Sequence, residues 1–334
     1  MIRRALMRIK SNLIYVVIGS LVVGLAFGRI AGAEATSVLQ AAVTLVLFLM
    51  IYPMMINIDL KEVVNVHSHA GPVLLSLVVN FVVAPLVAVG LARLFFSGRV
   101  EYAIGLYFIA LVPTSGMTAA WTGLANGDLE SALVAMAVNL LLAVAILPAY
   151  LAALIPAPVG FDPGALYRQL AMIVVGPMVA GNLTRRLLLR RYGSSTFKRL
   201  KPAFGGLSSL GVMLIVFIAM AMRSESILAD PIASAIVVVP LVLFYTVILA
   251  VGAGLGRLLL DTTSGVALVY ATSMRNLSIA VAVVVAAPTI PDAAVLPIAL
   301  AYVLQPPLGA FYMHYRRDVV DEGLSLREAI SSLI

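Results

Sequence analysis

The sequence predicts an all-α membrane protein with ten transmembrane helices, and composition, long apolar runs and paired helix breaks lead to that prediction. Of 334 residues, 62% are hydrophobic and 11% are charged, and the mean hydropathy is +1.09. Soluble globular proteins carry about 25% charged residues. The chain therefore has too many apolar stretches for a soluble core, and they recur at the length of about 20 residues that crosses a bilayer.

Ten apolar runs are long enough to be read as spans. The N-terminal segment MIRRALMRIK is basic, and the apolar run after it is too long for a signal peptide, so we interpret that run as a retained first helix. Two connections, 155–164 and 190–202, are predicted as loops because the first is rich in proline and glycine and the second is polar and basic. The predicted spans are 11–31, 36–57, 70–96, 101–125, 129–153, 166–189, 205–222, 231–259, 263–287 and 292–315.

The distribution of positive charge predicts the orientation in the membrane. Ten spans place both termini on one side, and that side carries 16 of the 22 lysines and arginines, against five on the other. Cytoplasmic segments carry the positive excess, so we expect a multi-pass protein of the inner or plasma membrane with both termini in the cytoplasm. This placement also explains the net charge of +7 without a nucleic-acid partner.

Several function classes are excluded by missing residue types. The chain has no cysteine, which removes disulfides, iron–sulfur clusters and thiolate metal sites. No acid, histidine or cysteine falls mid-span, so acid–base or nucleophilic catalysis has no candidate residue. His67 and His69 are predicted to be interfacial. We therefore expect neither an enzyme nor a bound metal or cofactor.

Glycine, proline and Thr-Ser pairs recur 155 to 158 positions apart, which indicates an internal repeat. Five spans per repeat is an odd number, so the halves must lie in opposite orientations, as in secondary transporters. The predicted units are 1–155, 160–320 and a short cytoplasmic tail, 321–334. The alternative is chance spacing of common residues. The matching pairs are Gly24 and Gly181, Pro85 and Pro240, Thr114-Ser115 and Thr272-Ser273, and Pro148 and Pro306.

Spans four and nine carry the sequence features of broken helices at equivalent positions. Pro113 removes a backbone donor and Gly116 loosens the chain in LVPTSGMTAAW. The equivalent stretch YATSMRNLS, 270–278, has neither residue type. Unwound backbone survives in a membrane only beside a cavity or inside protein, so we expect the two broken helices to cross. Their second halves would present helix N-termini to an anion; the alternative is a kink without a site.

Arg275 is the only charged residue between Asp261 and Asp292. It lies 14 residues from Asp261, or about 21 Å of helix, which is too far to reach the interface easily. A charge at mid-membrane costs at least about 2.5–3.5 kcal/mol. Three interpretations stay open: contact with a bound anion, structural support by backbone carbonyls or water, and a wrongly drawn span.

The candidate binding residues follow from these breaks. Amide side chains on neighbouring spans could bind substrate or a coupling ion, although interhelical hydrogen bonding is their default role. These amide residues are Asn80, Asn139 and Gln305. The residues predicted to bind substrate are Thr114, Ser115, Gly116, Met117, Thr272, Ser273, Arg275 and Asn276.

The segment MTAAWTGLANGD, 117–128, resembles the fourth-span motif of the arsenite-efflux permeases, A-R-C-x-A-M-V-x-V-W-x-x-L-A-x-G-D. Thr114 stands at the position of that motif's cysteine, which is thought to meet arsenite, and Pro113 at its arginine. The acidic residue of the family's ninth span falls near Leu277. Arsenite is thiophilic, so these departures argue against arsenite as the substrate. The matching residues are Met117, Trp121, Leu124, Ala125, Gly127 and Asp128.

Those permeases belong with the bile acid:sodium symporters in one superfamily. The resemblance implies ten helices in two inverted five-helix repeats, with helices four and nine broken and crossing, along the whole chain. The bile-acid branch carries E-x-G-x-Q-N-S in span nine, where Glu and Gln help to hold sodium. Here Ala271 stands at the Glu, Arg275 at the Gln and Asn276 at the Asn. One hypothesis is that the guanidinium replaces a sodium ion.

The expected function is secondary active transport of a small, anionic solute by alternating access. A core containing spans four and nine would rock against a panel of spans one, two, six and seven. Arsenite or metalloid efflux is the alternative, and an anion channel a further one. The coupling ion, sodium or proton, stays open. The expected partners are the substrate and the lipid bilayer, with the chain as a monomer or homodimer.

Overall fold

A computed structural model describes residues 13–31, 33–58, 66–155, 162–229, 235–287 and 289–316. These residues form helices joined by short connections, and no strand occurs in these ranges. An all-helical chain satisfies its backbone hydrogen bonds within each segment, as the interior of a bilayer requires. The N-terminal segment and the tail 321–334 considered above lie outside the described residues.

The structure describes seven α-helices in the first half of the chain. The third and fourth are joined by a π turn over Val79–Val83, so they form one continuous helical path. The fifth and sixth are separated by a four-residue interruption. The helices are α1 Leu13–Ile30, α2 Ala33–Asn57, α3 Ala70–Val78, α4 Ala84–Phe95, α5 Val100–Leu111, α6 Gly116–Leu124 and α7 Leu129–Leu154.

Six α-helical segments lie in the described part of the second half. A π turn over Ala171–Val175 links its first two helices, and a 3₁₀ turn over Asp292–Ala294 precedes the last. The eleventh and twelfth helices are separated by a short interruption at Met274–Asn276. The helices are α8 Pro163–Leu170, α9 Gly176–Ala229, α10 Val238–Leu259, α11 Thr262–Ser273, α12 Leu277–Ala286 and α13 Val295–His314.

Length and hydropathy identify six helical segments in the described ranges that can cross a membrane. Helices α5 and α6 make a seventh if the pair, bent by 60°, counts as one span. The apolar parts of α1 and α2 are shorter, Ile18–Ile30 and Ala41–Asn57. The chain is therefore a multi-pass, all-α membrane protein. The six segments are Val66–Phe95, Leu129–Leu154, Pro163–Met222, Val238–Leu259, Thr262–Ala286 and Val295–His314.

The predicted loop at 190–202 is a kink between two helices. Most of these residues are helical, and the two helices that make up α9 Gly176–Ala229 meet at Gly193, whose angles, φ 75° and ψ 168°, are not helical. Six of the 13 residues of this stretch are arginine, lysine or leucine, which are good helix formers, so its polarity did not require a long loop. Only glycine adopts a positive φ without steric cost, which explains why the break falls at Gly193.

Helices α1 and α2 pack along the long helix α9. Glycines allow the backbones to approach closely. A Cβ on Gly24 would lie 2.7 Å from the Phe217 carbonyl oxygen, and one on Gly181 would lie 2.8 Å from the Met55 Cβ. Such contacts cannot be made by larger residues, so small residues position this layer of helices.

Aspartate side chains cap the N-termini of α7 and α11. Asp128 accepts hydrogen bonds from Glu130 N and Ser131 N at the start of α7. Asp261 accepts from Thr263 N at 3.0 Å and Ser264 N at 3.1 Å at the start of α11. Hydrogen bonds from Ser264 and Thr263 lower the pKa of the Asp261 carboxyl below its usual value. An ionised aspartate is a favourable cap at the positive end of a helix.

Candidate functional site

The first break lies between α5 and α6, where the sequence places Pro113. Thr114 has a positive φ of 51°, an uncommon conformation for a residue with a side chain. Ser115 then starts α6: its hydroxyl accepts from Met117 N at 3.2 Å, and Thr118 Oγ1 accepts from Ser115 N at 3.3 Å. This reciprocal capping fixes the point at which the helix resumes.

The second break lies between α11 and α12 and contains neither proline nor glycine. Asn276 caps α12 by accepting from Ile279 N at 3.3 Å. Gln305 on α13 holds the backbone of Arg275 in the break: its Oε1 accepts from Arg275 N at 2.8 Å, and its Nε2 donates to Arg275 O at 3.3 Å. The side chain of another helix therefore replaces the hydrogen bonds that the unwound residue cannot make in its own helix.

The two breaks contact each other directly. Asn276 N donates to the Val112 carbonyl oxygen at 3.1 Å. On the other side, Thr118 Oγ1 donates to Tyr270 O at 3.3 Å and Asn80 Nδ2 to Ala271 O at 3.0 Å. Carbonyl oxygens at the ends of α5 and α11 thus accept hydrogen bonds from the opposite broken span or from the π turn after α3.

A cavity of about 230 Å³ lies beside the breaks. Two groups of helices line it: α2 and α9 contribute residues such as Met54, Asn57 and Ser208, whereas α6, α7, α12 and α13 contribute the rest. The first residues of α6 and of α12 are both in the lining. Both helices therefore direct the positive ends of their dipoles to the same space. Of the described residues that line it, Lys201 and Arg275 are cationic and none is acidic.

Arg275 belongs to the cavity lining and is only 1% exposed. Its Nη1 donates to the Ala110 carbonyl oxygen at 3.1 Å, in the last turn of α5. Its Cζ lies 5.4 Å from the centroid of the Phe244 ring, within the range of a cation–π contact. Neither Ala110 nor Phe244 lines the cavity, so this part of the guanidinium supports the break. Its Nε and Nη2 are buried with no hydrogen-bond partner among the described residues.

The cavity brings together six of the predicted site residues and leaves five elsewhere. Thr114 Oγ1 donates to Met136 O, and the hydroxyls of Thr272 and Ser273 donate to carbonyls of their own helix. Asn80 and Asn139 hydrogen bond to each other at 2.8 Å. Thr114, Asn80 and Asn139 thus connect helices away from the cavity, whereas Thr272 and Ser273 bond within their own helix. The six that line it are Ser115, Gly116, Met117, Arg275, Asn276 and Gln305.

Several lining residues were not among the predicted site residues. Asn57 at the end of α2 has a buried Oδ1 with no partner in the described ranges. The adjacent pair Ser208-Ser209 interrupts an apolar span, and that polarity is a signal that the sequence offered. Asn57 gave no such signal, because it lies at the end of its span. The further polar residues of the lining are Lys201, Ser278 and Tyr302.

The two histidines predicted to be interfacial lie just before α3. His67 is exposed. His69 Nδ1 is 2.8 Å from Ser131 Oγ and 3.6 Å from Asp128 Oδ2, which ties this segment to the start of α7. No group of three or more histidine, cysteine or acidic side chains suited to a metal occurs in the described ranges.

Comparison with known proteins places this architecture among transporters. The chain is 26% identical to the arsenical-resistance protein Acr3 of Alkaliphilus metalliredigens over 287 residues, which are 79% of this chain and 80% of that protein. It is 22% identical to the arsenical-resistance protein Acr3 of Corynebacterium glutamicum over 225 residues, 64% of this chain and 61% of that protein. An uncharacterized transporter of Synechocystis sp. is 25% identical over 298 residues, 79% and 77% of the two chains.

The resemblance noted in span four therefore extends along most of the chain. Residues 44–230 match the family described as the Sodium Bile acid symporter family. This segment contains the first break and α9, and it covers more than half of the 334 residues. The protein is a membrane transporter of the bile acid:sodium symporter and arsenite permease kind, and the chain belongs to the Sodium Bile acid symporter family.

Proposed function

We propose that the protein is a secondary active transporter that moves a small anionic solute by alternating access. One observation carries the proposal: two helix N-termini and Arg275, whose Nε and Nη2 have no protein partner in the described ranges, meet at one cavity that contains no acid in its described lining. Buried charged donors without partners are strongly unfavourable. An anion in the cavity would satisfy them.

The anion would bind between the starts of α6 and α12. The backbone N–H groups of Gly116 and Ser278 lie in the first turns, where helix donors have no partner within the helix. Each terminus carries roughly half a positive charge. Arg275 would add a full charge behind them, and the hydroxyl groups of Ser115 and Ser278 would supply further hydrogen bonds.

The proposed architecture is ten spans in two inverted repeats, 1–155 and 160–320, with broken spans four and nine crossing. Gly24 and Gly181 support it, because they are paired by the repeat and both make close contacts between helices. Gly24 packs span one against span seven, and Gly181 packs span six against span two. An inverted repeat relates these two contacts to each other.

Alternating access would use the division of the cavity lining into two groups of helices. Helices α1, α2 and α9 would form the panel, and the group with the two breaks would form the core. Rocking of one group against the other would open the cavity to either side of the membrane in turn. The charge distribution favours an inner or plasma membrane location with cytoplasmic termini. The protein would act as a monomer or homodimer, without a cofactor and not as an enzyme.

The guanidinium of Arg275 is proposed to replace a coupling sodium ion. Its contact with the Ala110 carbonyl oxygen is of the kind a bound cation would make with the negative end of α5. Anion uptake by wild-type protein should then proceed without sodium. Substitution Arg275→Gln should lower sodium-independent uptake and introduce a sodium requirement. A strict requirement for sodium in the wild type would contradict the proposal.

The direct test is uptake into proteoliposomes that contain the purified protein. Labelled acetate, succinate, phosphate and sulfate serve as probes. We expect saturable uptake of at least one probe, reduced ten-fold or more by Arg275→Gln, because a buried charge-assisted contact contributes about 1.5–3 kcal/mol. Arg168→Gln on the exposed face of α8 is the matched control. Equal uptake by both variants would exclude Arg275 from the binding site.

Arsenite efflux is the second candidate, because two of the similar proteins are arsenical-resistance proteins. The absence of cysteine from the sequence opposes it, since arsenite prefers thiol ligands. Expression in an arsenite-sensitive strain separates the two candidates. We expect no rescue, and growth of the strain at inhibitory arsenite concentrations would establish the alternative.

An anion channel is the third candidate, since broken helices also occur in channels. Electrical recording distinguishes it from a transporter. Transporter cycles are limited by conformational changes on the μs–ms scale or slower. Unitary currents above about 10⁶ charges per second would therefore indicate a channel, and we expect none.

A further inference from the structure

A second cavity, outside the proposed substrate site, lies where α10 and α13 end and α11 begins. Its volume is about 390 Å³. Arg257 in the last turn of α10 and Arg316 just beyond α13 stand at its polar end, together with Tyr312 and Tyr315. The small residues of α10 that line the rest extend away from this end along the helix. The cavity thus has a cationic, aromatic end and an apolar groove.

The polar end can accommodate an anionic group. Arg257 Nη2 donates to Tyr315 Oη at 3.1 Å, which holds this guanidinium at the cavity. Two of the described residues that line the cavity are arginines, and none of them is acidic. Asp261, which follows Arg257 in the sequence, is occupied by the backbone N–H groups and hydroxyl that it binds at the start of α11.

The groove is formed by Ala250, Ala253 and Gly254 on α10. Packing explains Gly256, because a Cβ there would lie 2.9 Å from the Gly265 Cα, but nothing lies within 4 Å of a Cβ built on Gly254. The groove therefore remains open at Gly254. The next turn carries the exposed side chains of Leu258 (80%) and Leu259 (61%), which marks this side of α10 as facing lipid.

We propose that this cavity binds an anionic phospholipid. The headgroup phosphate lies between Arg257 and Arg316, and one acyl chain lies in the groove over Gly254. Cationic pockets at the ends of membrane helices attract anionic headgroups, and each basic residue near the surface contributes about 1 kcal/mol. The tyrosines lie at the level where amphipathic rings are favoured in membranes. A soluble anion would use the arginine pair but not the apolar groove.

Native mass spectrometry of the full-length protein in detergent tests the proposal, with phosphatidylglycerol and phosphatidylethanolamine as probes. We expect one tightly bound phosphatidylglycerol and weaker binding of phosphatidylethanolamine. Arg257→Gln and Arg316→Gln should each weaken phosphatidylglycerol binding about five-fold, the equivalent of 1 kcal/mol. Arg186→Gln, an exposed arginine on α9, is the control and should leave this tight binding unchanged. Equal binding by wild type and both cavity variants would overturn the proposal.

The groove is tested separately by Gly254→Leu, which fills it without a clash at Cβ. Its matched control is Gly90→Leu on α4, where a Cβ also meets nothing within 4 Å. Loss of phosphatidylglycerol binding in the first variant alone supports a lipid. Unchanged binding, together with competition by inorganic phosphate, would instead indicate a soluble anion and overturn the proposal. Binding that appears only after removal of residues 318–334 would assign the groove to the chain's own C-terminal segment. All these measurements read binding, so they do not depend on transport.

Discussion

Replacement of Gln305 by methionine should destabilise the protein strongly, because this amide holds the second break. Gln305 is 2% exposed and makes three hydrogen bonds: with Arg275 N at 2.8 Å, with Arg275 O at 3.3 Å and with Tyr245 Oη at 3.0 Å. Methionine keeps the length of the side chain but makes none of them. The backbone N–H of Arg275 would then be buried without a partner, whereas its carbonyl oxygen would keep the bond from Leu277 N at 3.1 Å.

The magnitude follows from the number of bonds. A buried hydrogen bond contributes about 1 kcal/mol net, so Gln305→Met should cost about 3 kcal/mol. Tyr245→Phe removes one of the three bonds and should cost about 1 kcal/mol. Gln169→Met is the matched control, because Gln169 Nε2 makes one bond, to Val283 O at 2.8 Å, and it should also cost about 1 kcal/mol.

The assay is unfolding of the purified variants in one detergent, followed by intrinsic fluorescence. The decreases in the free energy of unfolding for Gln305→Met, Tyr245→Phe and Gln169→Met should be in a ratio of roughly three to one to one. In the double variant, Tyr245→Phe should add little to Gln305→Met, because the shared bond is already lost. Equal losses for Gln305→Met and Gln169→Met would refute the argument that Gln305 holds the break.

Three further predictions concern helix packing, a helix cap and the first break. Gly28→Ala should destabilise by about 1–3 kcal/mol, because its Cβ would overlap the Ala221 carbonyl oxygen. Gly19→Ala, whose Cβ meets nothing within 4 Å, should not destabilise, since alanine is the better helix former; equal thermal shifts would contradict the close contact. Asp261→Ala should cost about 1 kcal/mol by removing the cap of α11. The pKa of Asp261 is lowered in the folded state. The difference in free energy of unfolding between wild type and Asp261→Ala should therefore stay constant from pH 8 to 5 and shrink as the pH falls below about 4. A difference that grows in acid would contradict the cap. Ser115→Ala should cost about 1 kcal/mol through the cap of α6 and lower anion uptake, whereas Ser115→Asn should restore stability; loss of stability in both variants to the same extent would show that capping is not the role of Ser115.

Sequence patterns located both breaks because each has a local physical cause. Pro113 cannot donate a backbone hydrogen bond, and a lone arginine in an apolar span requires a protein or solvent partner. The same reasoning was only partly right at 190–202, where polarity suggested a loop but most residues are helical and two helices meet in a kink at Gly193. The composition of a segment indicates whether water or lipid surrounds it, whereas helix propensity and the positions of glycines decide whether its backbone stays helical.

The choice between candidate site residues could not be made from the sequence. Thr272 and Ser273 are as polar as Ser115 and Asn276, yet their hydroxyls donate to carbonyls three or four residues earlier in their own helix. In a span that is apolar on all faces, no pattern indicates which face meets the cavity. Rotation of α11 and its contacts with α10 and α7 decide that.

By itself, the sequence determined that the chain is a helical membrane protein. It also located the breaks in two helices and the positive charge of Arg275 at the second break. Each of these features depends on the transfer of residues from water to lipid or on a local backbone constraint. Only the tertiary structure decided that Gln305 holds the second break, that Arg275 donates to Ala110 and that α2 and α9 complete the cavity. These contacts join residues 30 or more positions apart, and they arise only when helices pack at specific angles and rotations.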